Sequence, residues 1–267
     1  MSQPEQLTYR ELTSHEDHEQ CVVLQRATWG DDFRELVPPA LLLVALKLGG
    51  LLLGAFEPDG RLVGFVFGLT GIDRGEPLHW SHMLAVRADS RSRGVGRRLK
   101  ELQRARVADL GVRRIRWTFD PLVARNAHFN LSRLGVRVLE YVEHMYGESP
   151  VSIMDSVIGT DRFVVEWPTA GPLPARPAEP TAGAPIVSLA STAASDLPAM
   201  GEVLVEIPAD IQRLKRERPE EAVAWRQTTR RAFRHYLAAG YAVAGFAAPR
   251  GGGHGRYVLR EKHGSGA

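Results

Sequence analysis

The chain has 267 residues, a hydrophobic fraction of 44% and a formal net charge of +3. That length suits one large domain or a domain and a half, and that composition excludes disorder throughout. A single cysteine, Cys21, excludes an internal disulfide framework and a multi-cysteine zinc site, so the expectation is a reducing, cytoplasmic setting with no bound metal, and Cys21 itself reads as core.

The start, MSQPEQLTYREL, lacks a basic stretch followed by an apolar core, and no signal peptide is expected. Residues 7–12 alternate as a short strand. Residues 15–28 carry apolar side chains at helical spacing, with Ser14 placed to cap them. A second helix is expected near 39–48, with proline in its first turn and Gly49 as its stop. The richest apolar stretch, 41–56, is broken by Lys47 and Gly49-Gly50, which leaves it short of a membrane span. Strands at 51–56 and 61–69 flank the hairpin signal Glu57-Pro58-Asp59-Gly60, and 78–86 is the next strand.

Beyond that strand, a helix over 95–110 stops at Gly111, residues 113–119 alternate as a strand, and Asp120-Pro121 ends it. A helix over 126–134 stops at Gly135, and 136–145 and 162–167 read as a strand pair. Residues 168–185 hold six prolines with Ala, Gly and Thr and read as a semi-rigid linker. The organisation expected is therefore a domain over 1–167, a linker over 168–185 and a smaller segment over 186–267. In that segment a strand (202–207), a long helix (219–239) and strands at 241–246 and 256–259 repeat the β-α-β-β order of 113–167. Gly251-Gly252-Gly253 reads as a flexible loop.

The chemistry concentrates where the strand at 78–86 gives way to the helix at 95. Such a turn leaves backbone N–H groups unpaired along the helix axis, where the macrodipole adds partial positive charge, and the matching ligand is a phosphate. Gly94 and Gly96 keep Cβ atoms away from an anion, and Arg91, Arg93, Arg97 and Arg98 add charge. Between Arg87 and Arg116 eleven Lys or Arg stand against three acidic residues. Without interleaved aromatics or a nucleic-acid-binding fold, that block favours a polyanionic small ligand over nucleic acid. The P-loop pattern is absent, and the dinucleotide fingerprint fails because Arg97, Arg98 and Leu99 follow Gly94-Val95-Gly96.

The run V-x-A-x-S-R-x-R-G-V-G at 86–96 resembles the acyl-CoA pyrophosphate loop of the GNAT N-acyltransferases, V-x-P-x-x-[RQ]-x-x-G-x-[GA]. Arg91, Gly94 and Gly96 fall on its fixed positions, Val86 closes the preceding strand, and Ala88 replaces the usual proline. The element order β-α-α-β-β-β-α-β-α-β-β over residues 7–167 agrees with the family. The resemblance implies an α/β (α+β) GNAT fold, with a mixed, mostly antiparallel central sheet flanked by helices, and a C-terminal half-unit that lacks its own phosphate turn and serves packing or dimerisation. It further implies acetyl-CoA or another acyl-CoA held by the backbone of Leu84, Ala85 and Val86 and by Arg91, Ser92, Arg93, Gly94, Val95, Gly96 and Arg97.

The family's fourth strand is distorted and splays from the fifth, and its general base projects from that strand or its neighbours. Two histidines stand on the strand here: His82 is the first choice as base, His79 lies nearer its start, and Glu143 and His144 are held in reserve. The family's usual tyrosine acid would fall at Leu131, which leaves Tyr141, Tyr146, solvent or no dedicated acid. Asn126 and Asn130, four apart on a helix, can bond the pantetheine amides or act only as local caps. Arg125 can pair with a carboxylate on an amino acid acceptor or a dicarboxylic acyl group. The function implied is N-acylation of a small amine or amino acid, with no nucleic acid or membrane partner and a homodimer as one assembly. The alternatives are a non-catalytic acyl-CoA sensor or scaffold and an N-succinyltransferase using succinyl-CoA.

Overall fold

The computed structural model describes residues 7–31, 33–147, 158–171, 178–191, 193 and 197–262. The chain divides into two compact units, Met1–Trp117 with Trp167–Gly171, and Thr118–Glu166 with Pro172–Ala267.

In the first unit, β1 (Thr8–Glu11), β2 (Leu51–Phe56), β3 (Leu62–Asp73) and β4 (Glu76–Val86) form successive antiparallel pairs. The helix α1 (His15–Trp29) begins where expected: Ser14 accepts the Asp17 N–H while Asp17 accepts the Ser14 N–H, a reciprocal cap whose loss costs about 1 kcal/mol. α2 (Pro39–Lys47) starts on its proline. Side chains alternate across the strands, so Phe65 and Phe67 join Cys21, Leu24, Leu42 and Ala45 in one core, while Gly64 on the other face lies against Val95 and Leu99 of α3 (Val95–Asp109). Each fully buried Phe or Leu there contributes roughly 1.5–3 kcal/mol. Cys21 belongs to this core, and burial pushes its thiol pKa up.

The larger sheet has the order β1-β2-β3-β4-β5-β7-β6, with β5 (Arg114–Phe119), β6 (Arg137–Val142) and β7 (Arg162–Pro168). It is mixed and mostly antiparallel, and β4 pairs with β5 in parallel. β3 runs four residues beyond the expected strand, because the turn at Arg74 and Gly75, both at positive φ, closes a longer hairpin onto β4. The helix expected over 126–134 is instead a short α4 (Ala124–Ala127) continued by a π-helical turn, His128–Leu134.

The second sheet lies in the second unit, with the order β10-β11-β9-β8. β8 (Ile186–Val187) is a two-residue strand parallel to β9 (Glu202–Ile207), and β10 (Tyr241–Ala247) and β11 (Gly255–Glu261) complete it. The order β8-β9-β11-β10 repeats β4-β5-β7-β6, and both series begin with a parallel pair. Two helices join β9 to β10: α5 (Ile211–Glu217), which the sequence reading omits, and α6 (Pro219–Ala238). Both described ends of the proline-rich stretch are bonded. Arg104 donates to Pro168 O at 2.7 Å, and the Ala178 N–H donates to Ala244 O at 3.0 Å.

Candidate functional site

β4 positions the site through a single extra residue. Phe67 pairs with Met83 and Gly68 with Ser81, which leaves His82 as a bulge. The inserted residue reverses the alternation: Ser81 faces α3, whereas Met83 joins the core beneath α1 and α2. Parallel pairing with β5 is confined to His79↔Ile115 and Trp80↔Arg116, so the two strands part just before the bulge. The bulged His82 is exposed, its ring edge-on to Phe67, and partial burial lowers its pKa, which keeps the imidazole neutral and able to accept a proton near pH 7.

At the far end of β4 a one-turn 3₁₀ segment, Ala88–Ser90, leads to Ser92 at φ 67° and Gly94 at φ 81°, the N-cap of α3. The first bond of α3 is Arg98 N–H to Gly94 O (3.0 Å), so the N–H groups of Val95, Gly96 and Arg97 precede the intrahelical ladder, and no side chain caps them. A Cβ built on Gly94 meets nothing within 4 Å, which leaves the backbone open on that side. The arginines are less free than their number suggests. Arg93 pairs with Glu57 at 3.0 Å and Arg97 with Glu101 at 2.8 Å, while Arg91 donates to Val86 O at 3.3 Å. Ser92, Arg93, Gly94 and Arg97 are exposed, Gly96 is half-buried and Val95 is core. Leu84, Ala85 and Val86 close β4 in register with Val66, Phe65 and Gly64.

Between β4 and α3 lies a buried polar chain that motif reading does not register. Lys100 is 2% exposed, donates to Ser81 Oγ (2.8 Å) and Gln103 Oε1 (3.0 Å), and sets its Nζ 3.6 Å from the centre of the Trp117 ring. The Gln103 amide faces His79 Nε2 at 3.1 Å, and His79 Nδ1 faces Thr70 Oγ1 at 3.0 Å, which donates to Gly49 O. With the Gln103 N–H as donor, His79 carries its proton on Nδ1 and both ring nitrogens are used. Burial, then the Lys100 charge, lowers the His79 pKa to about 4. His79 is thus a structural group, and its signal in the sequence was its alternation with Ser81 opposite a lysine on the apolar face of α3.

Asn126 and Asn130 lie in the second unit. Asn126 is half-buried, whereas Asn130 is buried and its carbonyl accepts the N–H groups of Gly135 and Val136 at the end of the π-helical turn. Leu131 is core. Tyr141 donates to Asp161, and burial raises its pKa, while Tyr146 OH lies 3.0 Å from Thr118 Oγ1. Among the described residues no group of three or more His, Cys, Asp or Glu side chains is placed to hold a metal, and no helix is long and apolar enough to cross a membrane.

A strand that bulges, parts from its parallel neighbour and ends in an uncapped, glycine-led helix is an arrangement whose chemistry suits a phosphate-bearing ligand. Residues 13–135, a little under half of the chain, match the model of the acetyltransferase (GNAT) family. Solved structures that share features with it include a GNAT-family acetyltransferase from Streptococcus pneumoniae (17% identity, 61% of this chain and 99% of that one, TM-score 0.48). Others are the ribosomal-protein-S18-alanine N-acetyltransferase from Escherichia coli (14%, 62% and 96%, 0.47) and Ard1 from Thermoplasma volcanium (17%, 62% and 99%, 0.48). No curated protein is significantly similar in sequence.

Proposed function

We propose that the chain transfers an acyl group, acetyl in the first instance, from acyl-CoA to the amine of a small molecule or amino acid by direct attack on the thioester. The observation that carries this reading is the coincidence on one strand of the His82 bulge, the early end of β4–β5 pairing and the uncapped Gly94 turn. The residues fit an acyl-CoA. The free N–H groups of Val95, Gly96 and Arg97 suit its pyrophosphate, with Arg91, Ser92 and Arg93 beside them, and the backbone of Leu84, Ala85 and Val86 suits the pantetheine arm. Asn126 and Asn130 are the amide-bonding candidates of the second unit. When bound, the thioester supplies an activated acyl group and a thiolate leaving group.

His82 takes the proton that the amine loses as the C–N bond forms. Its exposed, neutral ring suits that task, and His79, bonded at both nitrogens, does not. With Leu131 in place of a tyrosine, solvent returns a proton to the thiolate. The same reading takes the protein to be cytoplasmic and able to form a homodimer. Buried Leu131 favours a second reading, a non-catalytic acyl-CoA sensor. Thiol release measured with acetyl-CoA and succinyl-CoA over a panel of amines and amino acids separates the two. Turnover on at least one amine is expected, with the preferred thioester assigning the acyl group, whereas tight CoA binding without turnover on any amine selects the sensor.

A further inference from the structure

The second unit contains a cavity of about 620 Å³, a volume that suits a small organic ligand, and its described lining includes none of the residues assigned above. Three features build it. β10 carries one extra residue, Ala244, between the pairs Val243↔Leu259 and Gly245↔Val258, and the Ala244 carbonyl accepts the Ala178 N–H instead of a ladder partner. Gly245 lets Ala178 lie on the strand, since a Cβ there would overlap the Ala178 carbonyl oxygen. Ser132, in the π-helical turn, ties the opposite wall to β10 by donating to Phe246 O at 3.1 Å.

The lining carries positive charge. Among the described residues its one acidic side chain is Glu179, against Arg133, Arg250 and Arg256. Glu206 engages Arg256 at 2.9 Å and His254 at 3.3 Å, whereas Arg133 and Arg250 are exposed and their guanidinium groups meet no carboxylate or hydrogen-bond acceptor among the described residues. His128 Nδ1, also at the cavity, is buried and meets no protein partner, a vacancy that a ligand atom can fill. Phe246 and Pro180 add apolar surface between these groups.

We propose that this cavity binds a small organic anion, a carboxylate or phosphate on a short apolar body, with Arg133 and Arg250 meeting the head group and Phe246 the body. The loop holding Arg250, Gly251-Gly252-Gly253, then serves as one rim of a binding site. The cavity is lined by residues of the second unit, whereas the Gly94 turn belongs to the first, and on this proposal the two ligands bind independently. Calorimetry on the full chain at fixed ionic strength, with phenyl phosphate, phenylacetate and inorganic phosphate as probes, tests it. One saturable site is expected for phenyl phosphate or phenylacetate, at least tenfold tighter than for inorganic phosphate, and the better of the two assigns the head group. Arg133→Ser and Arg250→Ser should each weaken it by about tenfold, the loss of one charge-assisted contact, while Gly94→Val leaves it unchanged. Neither arginine is tied into the fold, so the variants should remain native. Absence of saturable binding, binding indifferent to both arginines, or binding that Gly94→Val removes and Arg250→Ser spares overturns the proposal.

Discussion

His79 and His82 stand three residues apart on one strand, and the bulge separates their roles. His79 faces inward, bonded at both nitrogens, while His82 is the inserted residue and faces outward. If His82 is the general base, His82→Gln should lower kcat about 10²–10⁴-fold with little change in CoA affinity. The variant should also lose the acid limb of the pH–rate profile. In the unaltered enzyme that limb lies below pH 6.5, because burial lowers the His82 pKa. Lys100 makes a different, thermodynamic prediction. Burial holds its pKa well below the ordinary lysine value, so below about pH 10 the unfolded chain binds a proton that the folded chain releases. Stability should therefore rise with pH from 7 towards 10. Lys100→Met, which removes the titrating group and keeps its length, should flatten that rise, as read from thermal melts at each pH. Parallel curves for the two proteins would mean that Lys100 stays charged in the fold.

Among the elements, the Gly94 turn is the most legible in the sequence and carries the sharpest test. Its φ of 81° admits a β-branched residue only under strain, and a side chain there would occupy space that is open beside the helix N-terminus. Gly94→Val should weaken CoA binding by at least tenfold by calorimetry while the thermal midpoint moves by only a few degrees. The strands were readable for the same local reasons: β2, β9 and the Ser14 cap lie where apolar runs and capping residues put them. What escaped is non-local. The resemblance implies a distortion of β4, but its placing at His82 arises from register with β3, which no pattern within PLHWSHMLAV specifies. β8 is two residues long and exists because β9 offers it an edge, and the π-helical turn follows α4 because the chain must close onto Gly135. The Lys100–Gln103–His79 chain was hidden because a lysine at a helical core position reads as an ordinary solvated charge until its neighbours are known.

At the scale of the whole molecule, the second unit is built from two distant stretches of chain. Arg226 of α6 reaches Asp120 at 2.7 Å, Arg230 reaches the fully buried Asp161 at 2.7 Å, Tyr257 OH donates to Pro121 O, and Phe233 packs on Phe163 with ring centres 4.7 Å apart. The segment after the proline-rich stretch is therefore structurally required by residues 118–166 and is no loosely tethered appendage. Burial alone would raise the pKa of both aspartates, but the neighbouring arginines outweigh it and hold both below the ordinary carboxylate range. Their contribution is full above about pH 4, the unfolded value, and is lost as pH falls through the lower folded values. Acid titration should thus unfold the second unit in that window, and Arg226→Met, which takes from Asp120 its nearest cation and leaves Arg162 at 4.0 Å, should cost about 3 kcal/mol at pH 7 in urea melts. Truncation after Gly171 goes further: it uncovers Phe163 and leaves Asp120 and Asp161 without Arg226 and Arg230. The truncated protein should be insoluble or lose its cooperative melt, and any soluble fraction should keep CoA binding through the Gly94 turn, because β4 and α3 lie in the first unit. A truncated chain that stays soluble, melts cooperatively and acylates at the full rate would show that residues 118–166 fold without these contacts.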